Sequence, residues 1–114
     1  MKQVTKLAGY RQYVPPQVFF QRKELDKILN VYGRMVVAGK WRDYAIDDSA
    51  EQVIFSIFRR ASEMPLYRIV KCPKWEAKQG AYAILSYSGQ VLKRGKDLEQ
   101  LLRFFDSKNL EVVK

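Results

Sequence analysis

A chain of 114 residues, 47% hydrophobic and 29% charged, has the composition of one globular domain with its own core, which excludes disorder over most of its length. It contains no histidine and a single cysteine, Cys72, so Ser-His-Asp and Cys-His catalysis, zinc sites of ordinary Cys/His spacing and any internal disulfide are excluded. The formal net charge of +9 favours polyanions, acidic protein surfaces or anionic lipid as partners.

The first residues show no apolar run like the core of a signal peptide, and no stretch approaches the roughly 20 apolar residues of a membrane span. A cytoplasmic protein is the expectation. Residues 1–17 carry Lys2, Lys6 and Arg11 without an acidic residue and close on Pro15-Pro16, which enforces extended backbone; they are expected to form a basic, partly mobile arm before a single α+β domain over 18–114. Val18-Phe19-Phe20 suits either a short edge strand or a hydrophobic staple over the helix that follows.

From Arg22 to Ala38, the apolar residues Leu25, Ile28, Leu29, Tyr32, Met35 and Val36 recur at helical spacing and predict a helix with one buried stripe. Gly39 sits where a left-handed residue would end it. Trp41–Ile46 reads as a strand with Tyr44 and Ile46 on one face, turning at Asp47-Asp48-Ser49. Val53–Arg60 places Val53, Phe55 and Ile57 on one face and Ile54, Ser56 and Phe58 on the other, the pattern of a central strand covered on both sides. Leu66–Lys71 completes a hairpin with it across Ala61–Met64. Pro73 and Gly80 bracket a loop in which Trp75 is either a lid over the core or an exposed stacking residue.

Ala81–Gly95 predicts a second hairpin about Ser88-Gly89, with Leu85 facing Leu92, Ala83 facing Arg94, Ser86 facing Val91 and Ile84 facing Lys93. Asp97 caps a second helix buried through Leu98, Leu101, Leu102 and Phe105, and Leu110–Val113 suits a terminal strand. The fold class is α+β: an antiparallel four- to five-stranded sheet, order roughly α-β-β-β-β-β-α, with two helices packed mainly on one face.

Chemistry in this chain is sparse. Asp43, Asp47, Asp48 and Glu51 cluster at a turn, where solvated acids are ordinary. Glycines occur singly, and Gly95-Lys96-Asp97 lacks the upstream glycine of a phosphate loop. The signal with a mechanism is basic and aromatic residues interleaved. Between Arg59 and Lys96 nine basic residues stand against two acidic ones. Arg59, Arg60, Arg68, Lys71, Lys74, Trp75, Lys93 and Arg94 are the candidate nucleic-acid-binding residues, cations for phosphates beside rings for bases. The competing reading keeps the rings in the core and leaves the cations as a solvated rim.

Trp41–Asp47 (WRDYAID), Phe55–Arg60 (FSIFRR), Glu63–Lys71 (EMPLYRIVK), Gln79–Tyr82 (QGAY) and Val91–Asp106 (VLKRGKDLEQLLRFFD) resemble a family of small bacterial proteins, domain of unknown function 2794. The resemblance spans Phe19 to the C-terminus. It implies a bacterial cytoplasmic protein and carries over no catalytic residue, metal or cofactor. The function expected from the residues is a non-enzymatic binding module whose basic surface contacts nucleic acid, RNA or single-stranded in preference to a duplex groove. The alternative is a protein-interaction or regulatory subunit docking an acidic protein partner.

Overall fold

In the computed structural model, residues 3–7, 10–14, 17–60 and 64–112 are described. The Pro15-Pro16 closure of the arm and residues 61–63 of the expected Ala61–Met64 turn lie outside the described residues. Two antiparallel strands, β1 (Gln3–Leu7) and β2 (Tyr10–Val14), pair with each other. The basic arm therefore contains a hairpin that its composition did not announce. Then follow α1 (Arg22–Val37), β3 (Asp43–Asp48), β4 (Val53–Phe58), β5 (Tyr67–Lys71), β6 (Tyr82–Ser86), β7 (Val91–Gly95) and α2 (Leu98–Val112). Strands β3 to β7 make one antiparallel meander in chain order, so the α+β class and the two-helix, five-strand arrangement hold.

Helix α1 begins as its sequence dictates: the Gln21 N–H donates to Glu24 Oε1 at 2.7 Å, one half of a capping box. It ends in a Schellman motif, with Gly39 at φ +78°, its N–H donating to Val36 O and the Lys40 N–H to Met35 O, each at 2.9 Å. Ile28, Val31 and Met35 are the buried positions of α1. The expected stripe is thus rotated: Val31 joins it, Leu25, Leu29 and Tyr32 lie at its margin, and Val36 is exposed.

Residues paired across an antiparallel ladder share a face. Tyr44, Ile57 and Tyr67 therefore lie together, as do Ile46, Phe55, Ile69 and Ile84. Phe55, Ile57, Ile69 and Ile84 form one buried cluster with Ile28, Val31 and Met35 of α1 and Leu98, Leu101, Leu102 and Phe105 of α2, so both helices cover this face. Each such side chain withdrawn from water contributes about 1.5–3 kcal/mol.

The opposite face carries Ala45, Ile54, Ser56, Phe58, Arg68, Val70, Ala83, Leu85 and Arg94. Val70 and Ala83 are nonetheless buried. The Arg94 guanidinium lies 4.8 Å from the Trp75 ring centre, which lays the Pro73–Trp75 turn over that side. Strand β3 is an edge, and its six residues are all exposed.

Three expectations are corrected. The first strand of the sheet is Asp43–Asp48 rather than Trp41–Ile46, because the Schellman turn consumes Lys40 and Trp41. The β6–β7 loop is longer than two residues: the Gln90 carbonyl accepts from the Ser86 N–H at 2.8 Å and Gly89 adopts φ +88°. Ala83 still faces Arg94 and Ile84 faces Lys93, but the ladder then slips and Leu85 pairs with Val91, displacing the expected Leu85–Leu92 and Ser86–Val91 pairs. Finally, helix α2 continues to Val112, so the expected strand at Leu110–Val113 is helical through its described residues.

Candidate anion-binding cleft

The eight candidate residues do not gather on one surface. At the end of the sheet where β5 finishes, Lys71 donates to Glu24 Oε1 at 2.8 Å and to the Phe19 carbonyl at 2.9 Å. Glu24 also accepts from the Tyr82 hydroxyl, so the first turn of α1 is bolted to β5 and β6. Burial pushes the Glu24 carboxyl up, but the Lys71, Tyr82 and Gln21 donors outweigh it and hold the group below its ordinary range. Burial, then the bond to Glu24, raises the Tyr82 hydroxyl. Lys71 is a structural cation.

Nearby, Lys74 pairs with Glu51 at 3.3 Å. Arg94 lies over one face of the Trp75 ring, with its own Nη1 buried and unbonded. Arg68 is half-buried on the helix-free face beside Ser56 and Leu85. Lys93 is exposed on β7, the far edge strand.

Arg59 and Arg60 stand at the other end of the sheet, just past β4. There they meet two cations that the interleaving pattern did not include. The Schellman motif fixes Lys40, and the Trp41 N–H reaches the same Met35 carbonyl at 3.3 Å. The Arg42 N–H donates to Phe58 O at 2.8 Å, extending the β3–β4 ladder by one bond and bringing Arg42 beside the start of the Arg59-Arg60 segment. A cleft of about 450 Å³ is lined by Val36, Gly39, Lys40, Trp41, Arg42, Arg59 and Arg60.

It adjoins a more apolar recess of about 400 Å³ lined by Met35, Gly39, Lys40, Trp41, Arg59, Leu66, Tyr67 and Phe105. Rings set its floor: Trp41 meets Phe105 edge-on at 4.9 Å between centroids, and Tyr67 meets Phe105 at 5.1 Å. Trp41 and Phe105 are buried, whereas Leu66 and Tyr67 remain half-exposed. No carboxylate lines either space. Among the described residues, none of Lys40, Arg42, Arg59 and Arg60 has an ion-pair partner.

Unpaired guanidinium and ammonium groups around an apolar floor bind anions by charge-assisted hydrogen bonds, with arginine offering bidentate geometry to phosphate or carboxylate. A third space, about 300 Å³ between α1 and α2, is different: there Lys27 pairs with Glu99 and Arg34 with Asp106, each at 3.1 Å. Among the described residues no cluster of His, Cys, Asp and Glu could hold a metal ion, and no helix is long and apolar enough to cross a membrane.

A family model described as "Protein of unknown function (DUF2794)" matches residues 18–102. No curated protein and no solved structure matches the chain.

Proposed function

We propose, since the chain belongs to the DUF2794 family and that family's description assigns no activity, a function read from the basic cleft: a non-enzymatic module that binds nucleic acid, RNA or a single strand, through Lys40, Arg42, Arg59 and Arg60. The observation that carries this reading is the gathering of four cations from two chain segments, without ion-pair partners among the described residues, beside a recess that the half-buried Tyr67 helps to line. Duplex grooves admit a helix or a β-ribbon, and the cleft presents neither; a flexible strand can bring phosphate and base to it together. Arg68, Lys93 and Lys96 add long-range attraction rather than contacts. A cytoplasmic location belongs to the same proposal.

The test is fluorescence anisotropy with a labelled oligo-dT or oligo-U of about 15 nucleotides at about 50 mM salt. Micromolar or tighter binding, weakened at least tenfold by Arg59→Glu with Arg60→Glu, supports the reading. Wild-type protein that binds neither strand overturns it and leaves the docking of an acidic protein partner ahead, since the same cations suit carboxylates.

A further inference from the structure

We infer that the cleft receives the phosphorylated end of a strand, a terminal nucleotide with its phosphomonoester, rather than the middle of one; this rests on the nucleic-acid reading above. Three observations converge on an end. The first is extent. A strand bound through its interior needs cations along its whole path, and most of the cations that flank this cleft are paired with carboxylates.

Toward the helices, the α1–α2 groove pairs Arg34 with Asp106 and Lys27 with Glu99, and leaves Arg103 as its one cation without an ion-pair partner among the described residues. Toward the sheet edge, the chain past Arg42 is β3, with exposed Asp43, Asp47 and Asp48, which repel a phosphodiester backbone. Across the sheet, Lys71 at the end of β5 is held by Glu24, and Lys74 in the Pro73–Trp75 turn is paired with Glu51. A polyanion anchored in the cleft therefore meets mostly paired or acidic side chains beyond it.

The second observation is charge. A diester carries one negative charge, whereas a terminal monoester carries about −1.5 to −2 at neutral pH and offers three acceptor oxygens. Four cations without ion-pair partners among the described residues match the denser anion, and arginines can take its oxygens in pairs. The third is the recess itself. About 400 Å³ is at the small end of ligand sites, room for one base beside Tyr67 and Leu66 but not for a stack of them.

The experiment compares single-stranded dT oligonucleotides of one length bearing a 5′-phosphate, a 3′-phosphate or hydroxyls at both ends, together with a circular single strand of the same composition. The expected result is that at least one phosphorylated end binds tenfold or more tighter than the hydroxyl-ended strand. The circle should bind no better than the hydroxyl-ended strand, and affinity should stay within about twofold when the phosphorylated strand is shortened to a dinucleotide. Arg59→Gln with Arg60→Gln should bring the ratio between phosphorylated and hydroxyl-ended strands close to one while the thermal melt is unchanged. Circular and hydroxyl-ended strands that bind as tightly as phosphorylated ones, with affinity rising with length, overturn the end-binding proposal and leave the nucleic-acid reading standing. Absence of binding to every strand overturns both.

Discussion

Where β5 ends, Lys71 and Glu24 are only 14% and 13% exposed through their side chains and bond each other; where β4 ends, Arg59 and Arg60 are exposed beside Lys40 and Arg42 with no such partner among the described residues. The two ends of one sheet thus put the same residue types to opposite uses. At the first, a cation has been spent on fastening a helix to the sheet, and its field is cancelled locally. At the second, Lys40 and Arg42 are placed by backbone bonds, and none of the four cations has an ion-pair partner among the described residues. The contrast separates charge engaged within the fold from charge left open to a partner, a distinction that net charge does not make.

The fastened end should fail most severely through its backbone. Gly80, at φ +91°, lies so close to β7 that a Cβ there would overlap the Gly95 carbonyl and the Lys96 nitrogen. Both obstacles are backbone, so Gly80→Ala should cost more than about 3 kcal/mol, read by chemical denaturation. Gly39→Ala, at φ +78° with open space around it, should cost only about 1–2 kcal/mol. That variant should also weaken nucleic-acid binding, because the turn it strains holds Lys40 and Trp41.

Breaking the bolt is the next largest effect. Glu24→Ala should destabilise by about 2–4 kcal/mol, since it leaves Tyr82 without its acceptor and the part-buried Lys71 with only the Phe19 carbonyl, yet the folded fraction should bind oligonucleotides as wild type does. The pH dependence has a definite sign. The Glu24 carboxyl is held below its ordinary value of 4.5 in the folded chain, so the unfolded chain takes up the proton first as the pH falls. The contribution of Glu24 is complete above about pH 4.5 and is lost as the pH drops through the lower folded value. Glu24→Gln should flatten that acid limb. Tyr82 is raised from 10.0, so its contribution is complete below about pH 10 and is lost as the pH rises toward the folded value; Tyr82→Phe should flatten the alkaline limb.

At the free end the pattern should invert. Arg59→Glu with Arg60→Glu should leave stability within about 0.5 kcal/mol of wild type while weakening single-strand binding at least tenfold. For every phosphate that the variant no longer neutralises, the slope of log affinity against log salt should fall by about 0.7. The smallest effect is expected from Lys74→Ala, less than about twofold in affinity, because its charge is already answered by Glu51. A larger loss there would erase the distinction between the two ends.

Most of the fold was legible because its signals are local. The helical spacing of Ile28 and Met35, the stop at Gly39, the two-faced strand at Val53–Phe58 and the cap at Asp97, which accepts from the Gln100 N–H at 3.2 Å, each depend on a few adjacent residues. The slip in β6–β7 was missed because Gly89 serves a two-residue loop and a longer one equally well. Val31 was missed because burial follows where α2 lies, not the hydrophobicity of α1 alone. The candidate site was half legible. Arg59 and Arg60 stood out as a pair, but Lys40 and Arg42 reach them only through an antiparallel pairing of β3 with β4; the expected strand Trp41–Ile46 already held Arg42, and what its sequence did not show was the register, Asp43 against Phe58, that sets Arg42 opposite Arg59. Lys71, Lys74 and Arg94 entered the candidate set because composition cannot show that Glu24, Glu51 and Trp75 engage them.

The outermost strand limits how these molecules can meet. β3 leaves one row of peptide groups unpaired, the kind of template on which sheets extend from molecule to molecule. If two copies were to join there with their helices on the same side, Ala45 would face its counterpart, and Asp43 of each would stand directly opposite Asp47 of the other. Centring the pair on Ile46 instead sets Tyr44 against Asp48 and Ala45 against Asp47, trading repulsion for the burial of unanswered carboxylates. The acidic edge on this cationic protein thereby works against fibrous growth from molecule to molecule.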